Sequence, residues 1–193
     1  MKRIIFALLF CSQSVFGQVN QYQKDFNQIN ENLMLGLGSY AVTNFVLSGY
    51  GYTRSSEEAS KRFHEMNVLW NSVNFSLALP GYLKAKNGGK VLSLEEMVQQ
   101  QKKTEAIFLI NDVLDLGYIA TGIWMQQIAE RQIGREDLFR GYGTSLILQG
   151  SFLLAFDTYA YLLHHGHAKK SAVLQRISYR TTPYGVGFSM ALD

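Results

Sequence analysis

HEMNVLWNSVNFSLALPGY, residues 64–82, reads as one long helix carrying asparagines on an otherwise apolar body. His64, Asn67, Asn71 and Asn74 are spaced three, four and three apart. At about 100° per residue they fall on one narrow stripe. A polar stripe on an apolar helix needs partners on neighbouring helices, so the stretch implies a helical bundle with a polar interior. Its lack of charge from Met66 to Leu83 says that the outer face is not built for water.

The whole chain shares that character. Of its 193 residues, 47% are hydrophobic and only 17% charged, below the roughly 25% charged share of soluble domains. The net charge of +3 is small and the basic residues are scattered, which excludes a nucleic-acid-binding stripe. Two prolines and no low-complexity tract leave no support for a linker or a second domain.

MKRIIFALLFCSQSVFG, residues 1–17, has the three parts of a secretory signal: Lys2 and Arg3, the apolar run 4–10, and a polar segment ending in small residues. Cleavage after Gly17 is expected, with export across a membrane. The apolar run is shorter than the roughly 20 residues that span a bilayer. Cys11, the single cysteine, is an alternative lipidation site, although bulky Phe10 stands where a lipoprotein signal has a small residue. Removal of the leader leaves no thiol and no disulfide.

The rest, residues 18–193, reads as one domain with apolar segments at about 33–52, 66–83, 106–125 and 141–163. They contain zero, zero, two and one charged residues respectively. Two boxes, Ser55 with Glu58 and Ser93 with Glu96, are expected to cap helices. Pro80 is expected to bend or end its helix. The tail RISYRTTPYGVGFSMALD alternates around Pro183 and reads as two short strands.

A soluble four-helix bundle would show charge every three or four positions on each outer face, and no such face can be drawn here. The expected fold is therefore all-α, a four-helix transmembrane bundle with long helices and a short strand-like C-terminal tail. With both mature ends outside, the loops holding Arg54, Lys61, Arg62, Arg131, Arg135 and Arg140 face the cytosol. The opposite side receives ten basic residues, a bias against that orientation.

Polar groups within the spans are Asn44, Asn67, Asn71, Asn74, Asn111, Asp112, Asp115, Gln149 and Asp157. Such groups are costly in a bilayer and turn inward to pair. Asn67, Asn71 and Asn74 are expected to meet Asn111, Asp115 and Asp157. Two readings follow. The cluster is interhelical glue, or it is an interior site for a proton, a metal or a small polar ligand. His164, His165 and His167 form a weaker metal candidate, because HHGH matches no zinc spacing. GxSxG, HExxH, Walker and dinucleotide motifs do not occur, so no catalytic residue and no cofactor is expected.

The segments FHEMNVLWNSVNFSLALPGY, LINDVLDLGYIATGIWM and GYGTSLILQGSFLLAFDTYAYLLHH resemble an uncharacterised family of small exported four-helix membrane proteins from Bacteroidota. Its HxMNxxWNxxN-like, NxxLDxGY-like and GxxxxxQGxFLLxFD-like helices correspond to residues 64–74, 111–118 and 143–157. The resemblance implies an architecture and no mechanism. The functional expectation is a non-enzymatic scaffold or accessory subunit in a membrane of the bacterial cell envelope, in contact with lipid and another envelope protein. The alternatives are a ligand-, metal- or proton-handling membrane protein and a soluble periplasmic bundle.

Overall fold

A computed structural model describes the backbone of residues 2–171, 177–182 and 185–190, and the side chains of residues 17–171. Its elements are α1 (Lys2–Arg54), α2 (Glu58–Lys86), α3 (Leu94–Ile128), a 3₁₀ turn (Ala129–Arg131), α4 (Glu136–Lys170), β1 (Ile177–Thr182) and β2 (Gly185–Met190). The chain is thus helical with four long helices, followed by a small hairpin. Most of the expected leader lies outside the residues whose side chains are described. Its backbone from Lys2 onward is continuous with α1.

The helices run alternately up and down. At one end α1 meets the loop after α2 and the far end of α4: Tyr22 donates to Gln101 of α3 at 2.7 Å and stacks on His167 with ring centroids 4.2 Å apart. Gln23 ties down the 88–92 loop, donating to the Lys90 carbonyl at 2.8 Å and accepting from the Leu92 amide at 2.9 Å. At the other end Gln126 of α3 donates to the Arg140 carbonyl of α4 at 2.7 Å. The backbones of α1 and α2, of α2 and α4, and of α4 and α3 run closest together, while α1 meets α3 through side chains such as Tyr22, Phe26 and Leu33.

Helix ends follow local chemistry in one case and depart from it in another. Ser93 and Glu96 form the expected capping box, with the Ser93 amide donating to Glu96 at 2.8 Å and the Glu96 amide donating to Ser93 Oγ at 3.2 Å. The box expected at Ser55 is not formed. Ser55 Oγ instead donates to the Gly51 carbonyl at 2.7 Å, and α2 begins at an uncapped Glu57. The link from α1 to α2 is so short that the hydroxyl is taken by the helix behind it. Pro80 does not end α2, which continues for six more residues to Lys86.

Helix backbones approach closely at two glycine contacts, Gly141 of α4 against the Ala59 carbonyl of α2, and Gly122 of α3 against Gly143 of α4. A Cβ added to Gly122 would lie 2.6 Å from the Gly143 carbonyl, and one added to Gly143 would lie 2.8 Å from the Gly122 carbonyl. Only glycine lets these backbones touch, the packing device of helices that associate without a hydrophobic drive. The tail is an antiparallel pair with Ile177 opposite Met190 and Thr182 opposite Gly185, as its alternation suggested.

Among the described residues two helices, α3 and α4, are long and apolar enough to cross a membrane. Only 17% and 28% of their apolar windows are buried, which is unlike the core helix of a soluble protein. The expected spans at 33–52 and 66–83 are diluted by glycine, serine and asparagine.

Candidate functional site

The asparagine stripe of α2 faces inward, as a 3.6-residue period requires once one face is packed. Asn67, Asn71 and Asn74 are all buried, Asn71 completely. Asn67 is the hub: its Oδ1 accepts from Ser145 Oγ and from Gln149 Nε2, both at 2.8 Å. Asn71 Nδ2 donates back to the Asn67 carbonyl at 2.8 Å, and Asn74 Nδ2 donates to Asn71 Oδ1 at 3.3 Å. Gln149 Oε1 in turn accepts from Tyr40 at 3.2 Å. The chain of bonds links α1, α2 and α4.

That arrangement corrects one expectation. The stripe's interhelical hydrogen bonds go to Ser145 and Gln149 of α4, about two turns before Asp157, and not to Asn111, Asp115 or Asp157. Those three residues form a second group across the α3–α4 contact. Asp115 and Asp157 are buried and within hydrogen-bonding reach of each other, and Asn111 reaches Asp157. A hydrogen bond between two carboxyl groups needs a proton. Oδ2 of Asp115 is buried with no hydrogen-bond partner. Asp112 stands apart on the rim, where Thr158 donates to it at 3.0 Å. Asn44 also stays outside the cluster, donating to the Tyr40 carbonyl of its own helix at 3.0 Å.

The second group lies at the floor of a cleft of about 360 Å³. Its walls are Leu37 of α1, Trp70, Val73 and Leu77 of α2, and Ile107 and Leu114 of α3. It is left where α3 approaches α1 and α2 only through side chains, Leu33 packing with Phe108 and Trp70 meeting Tyr118 with ring centroids 4.6 Å apart. Asn74 lines the same cleft and is the point where the two polar groups come together.

The three histidine rings do not converge on one point. His164 is fully buried between Phe26 and Phe108, and neither ring nitrogen has a partner. Burial, with His167 adding to it, pushes the His164 imidazole down to about 4, against a smaller opposing effect of Glu105. His165 stacks on Tyr161 and lies 3.4 Å from Glu105, whereas His167 stacks on Tyr22 and lies 3.9 Å from Asp25. Consecutive turns send the rings to different partners. Among the described residues no group of three or more His, Cys, Asp or Glu side chains could hold a metal ion. His64 falls where the stripe leaves the apolar zone; it is half-buried, its ring fills the space above Gly51, and burial lowers its basicity.

Residues 36–158 match the model of a family of unknown function, DUF6992. The chain belongs to this family. The matched stretch contains all members of both polar groups and the glycine contact of α3 with α4, and it stops before the histidine cluster. No curated protein and no solved structure matches the chain. Membership of a family of unknown function agrees with the likeness to an uncharacterised family read from the three helical motifs, whose Asn67, Asn71, Asn74, Asp115, Gln149 and Asp157 are buried.

Sequence reading missed two participants in the network and one buried glutamine outside it. Ser145 and Tyr40 carry no signal of their own, being ordinary residues of apolar helices. Gln101 accepts from Tyr22 and donates to the His164 carbonyl at 2.9 Å, but it sits in a glutamine-rich lead where nothing singles it out. The one available clue was spacing: Ser145 and Gln149 are four apart and so share a face.

Proposed function

We propose that this chain is an integral protein of a cell-envelope membrane, whose interior network joins its helices and which serves as a scaffold or accessory subunit. One observation carries the reading: over most of the bundle the polarity of a soluble protein is inverted. Asn67, Asn71, Asn74, Asp115, Ser145, Gln149 and Asp157 are buried, while Leu47 and Leu77 are 62% and Val113 69% exposed. Water would leave these apolar surfaces unpaid, whereas hydrocarbon favours them and drives the polar groups inward.

Two further features support it. Exposed large apolar residues run from Leu35 to Tyr52 on α1 and from Ile107 to Trp124 on α3, about 26 Å at 1.5 Å per residue, close to a hydrocarbon core. Exposed hydroxyls in this band bond to their own helices: Thr43 to the Ser39 carbonyl at 2.8 Å, Ser72 to Val68 at 2.9 Å, Ser76 to Val73 at 2.7 Å and Thr121 to Gly117 at 2.8 Å. Such donors need no solvent. The interior groups are mostly amides and hydroxyls bonded to one another, which suits cohesion better than turnover.

Washing isolated membranes with alkaline carbonate tests the reading. The protein is expected to stay in the pellet. Release into the supernatant sinks the embedded reading and leaves the soluble periplasmic bundle.

A further inference from the structure

The cleft between α3 and the α1–α2 pair holds an imbalance that its own chain does not resolve. Asp115 and Asp157 lie at its floor, yet residues 25–53, 63–83, 104–130 and 141–168 contain no lysine or arginine. The amide of Asn111 is directed to Asp157 and that of Asn74 to Asn71. Oδ2 of Asp115, in a side chain 2% exposed and lining the cleft, receives no donor at all. A buried carboxyl oxygen with no hydrogen-bond partner is costly in a helix bundle even where the pair shares one proton.

The walls say what else the site accepts. Trp70, Val73, Leu77, Ile107 and Leu114 make them apolar, and Val73, Leu77, Ile107 and Leu114 are themselves exposed. The mouth therefore opens sideways, onto the apolar band. A volume of about 360 Å³ falls at the lower end of small-molecule pockets, which run from roughly 300 to 1,000 Å³.

We propose that the cleft binds an amine-bearing amphiphile taken up from the lipid. Its ammonium group donates to Asp115 and Asp157, and its apolar body lies between Trp70, Leu77, Ile107 and Leu114. The ammonium supplies both the donor that Oδ2 lacks and the positive charge that no helix provides. An alcohol supplies a donor without the charge, and a fatty acid would add a third carboxyl group. A divalent cation would need more oxygen ligands than two carboxyls and an amide among apolar walls.

The site rests on the membrane reading for its lateral entrance, and the test keeps the two apart. Trp124→Phe leaves Trp70, inside the cleft, as the only tryptophan of the chain. Titrating this full-length protein in nonionic detergent with decylamine is expected to give a saturable fluorescence change. Decanol and decanoate should bind at least about tenfold more weakly. Asp115→Asn should weaken decylamine by about tenfold or more, and Val73→Phe, which narrows the walls and touches neither carboxyl, should weaken it as well. If Asp115→Asn fails to fold by circular dichroism, Val73→Phe decides. The proposal is overturned if decylamine does not saturate, if decanol binds equally well, if magnesium or calcium displaces the amine at lower concentration, or if the folded variants bind it unchanged. A protein that resists carbonate but ignores decylamine keeps its membrane reading and loses this site.

Discussion

Two regions of one bundle are built with opposite polarity. At the end formed by residues 17–34, 84–105 and 160–170, apolar side chains are inside: Tyr22, Phe26 and Met97 make one buried cluster, and Leu33, Phe108 and Ala160 another. Lys24, Lys84, Lys86, Lys102 and Lys103 are outside. Along the same helices, past Phe108, the interior becomes Asn67, Asn71, Asn74, Asp115, Gln149 and Asp157, and the outside becomes leucine, valine and isoleucine. The backbone is the same on both sides of the change, and the membrane reading proposed above puts the difference in the surroundings. Burial follows whichever groups the surroundings reject.

The comparison can be broken at either region. The largest effect is expected at the end built for water: Phe26→Ala removes a ring from a closed apolar cluster and should cost about 3–5 kcal/mol, read by chemical denaturation in detergent. A cost below 1 kcal/mol would mean that this end has no core of its own. Next is a charge on the inverted band. Val113→Arg should lower insertion by about 2.5–3.5 kcal/mol, seen as loss of the carbonate-resistant fraction, whereas Ile133→Arg, 94% exposed in a loop, should change little. Equal behaviour of the two variants would erase the distinction between the regions.

A pH effect is also expected at the water end. His164 is held neutral, its imidazole near 4 in the folded chain against about 6.5 unfolded, so the unfolded state binds the extra proton. Stability is complete above about pH 6.5 and is lost as pH falls toward 4, by at most about 3 kcal/mol. Glu105 and His167 act on the ring, and Asp25 lies against His167, so His164→Phe, which keeps all three, isolates its share. The slope between pH 6.5 and 4 should flatten in that variant, and an unchanged slope would place the effect in the neighbours. Smallest is the inverted interior itself. Asn67→Ala leaves Ser145 and Gln149 without their acceptor, yet amides in membranes find other partners, and the expected loss is about 0.6–2 kcal/mol. A loss of 4 kcal/mol or more would show that the network, and not packing, holds the helices.

What could be read from residues alone follows the same division. Inward direction of the asparagine stripe was legible because periodicity depends only on its own helix, and so were the Ser93 capping box and the terminal hairpin. Partner identity was not: whether α2 faces α3 or α4 depends on how the bundle closes, which leaves no trace in residues 64–82. The Ser55 box failed for a related reason, since Gly51 of the preceding helix competes for its hydroxyl. Adjacency in HHGH was a weak sign of a common centre, because successive residues on a helix point about 100° apart.

The central claim, that the inverted band lies in lipid, is tested most directly by labelling. Cys11 is the only native cysteine; with it changed to serine, single cysteines at Leu47, Leu77, Val113, Val91 and Lys102 are exposed to a membrane-impermeant maleimide in opened membrane vesicles. Val91 and Lys102 are expected to react at once, and Leu47, Leu77 and Val113 only after detergent and denaturant are added. Labelling of Val113 as fast as Lys102 in untreated membranes would contradict the account, because it would put water where the band requires hydrocarbon.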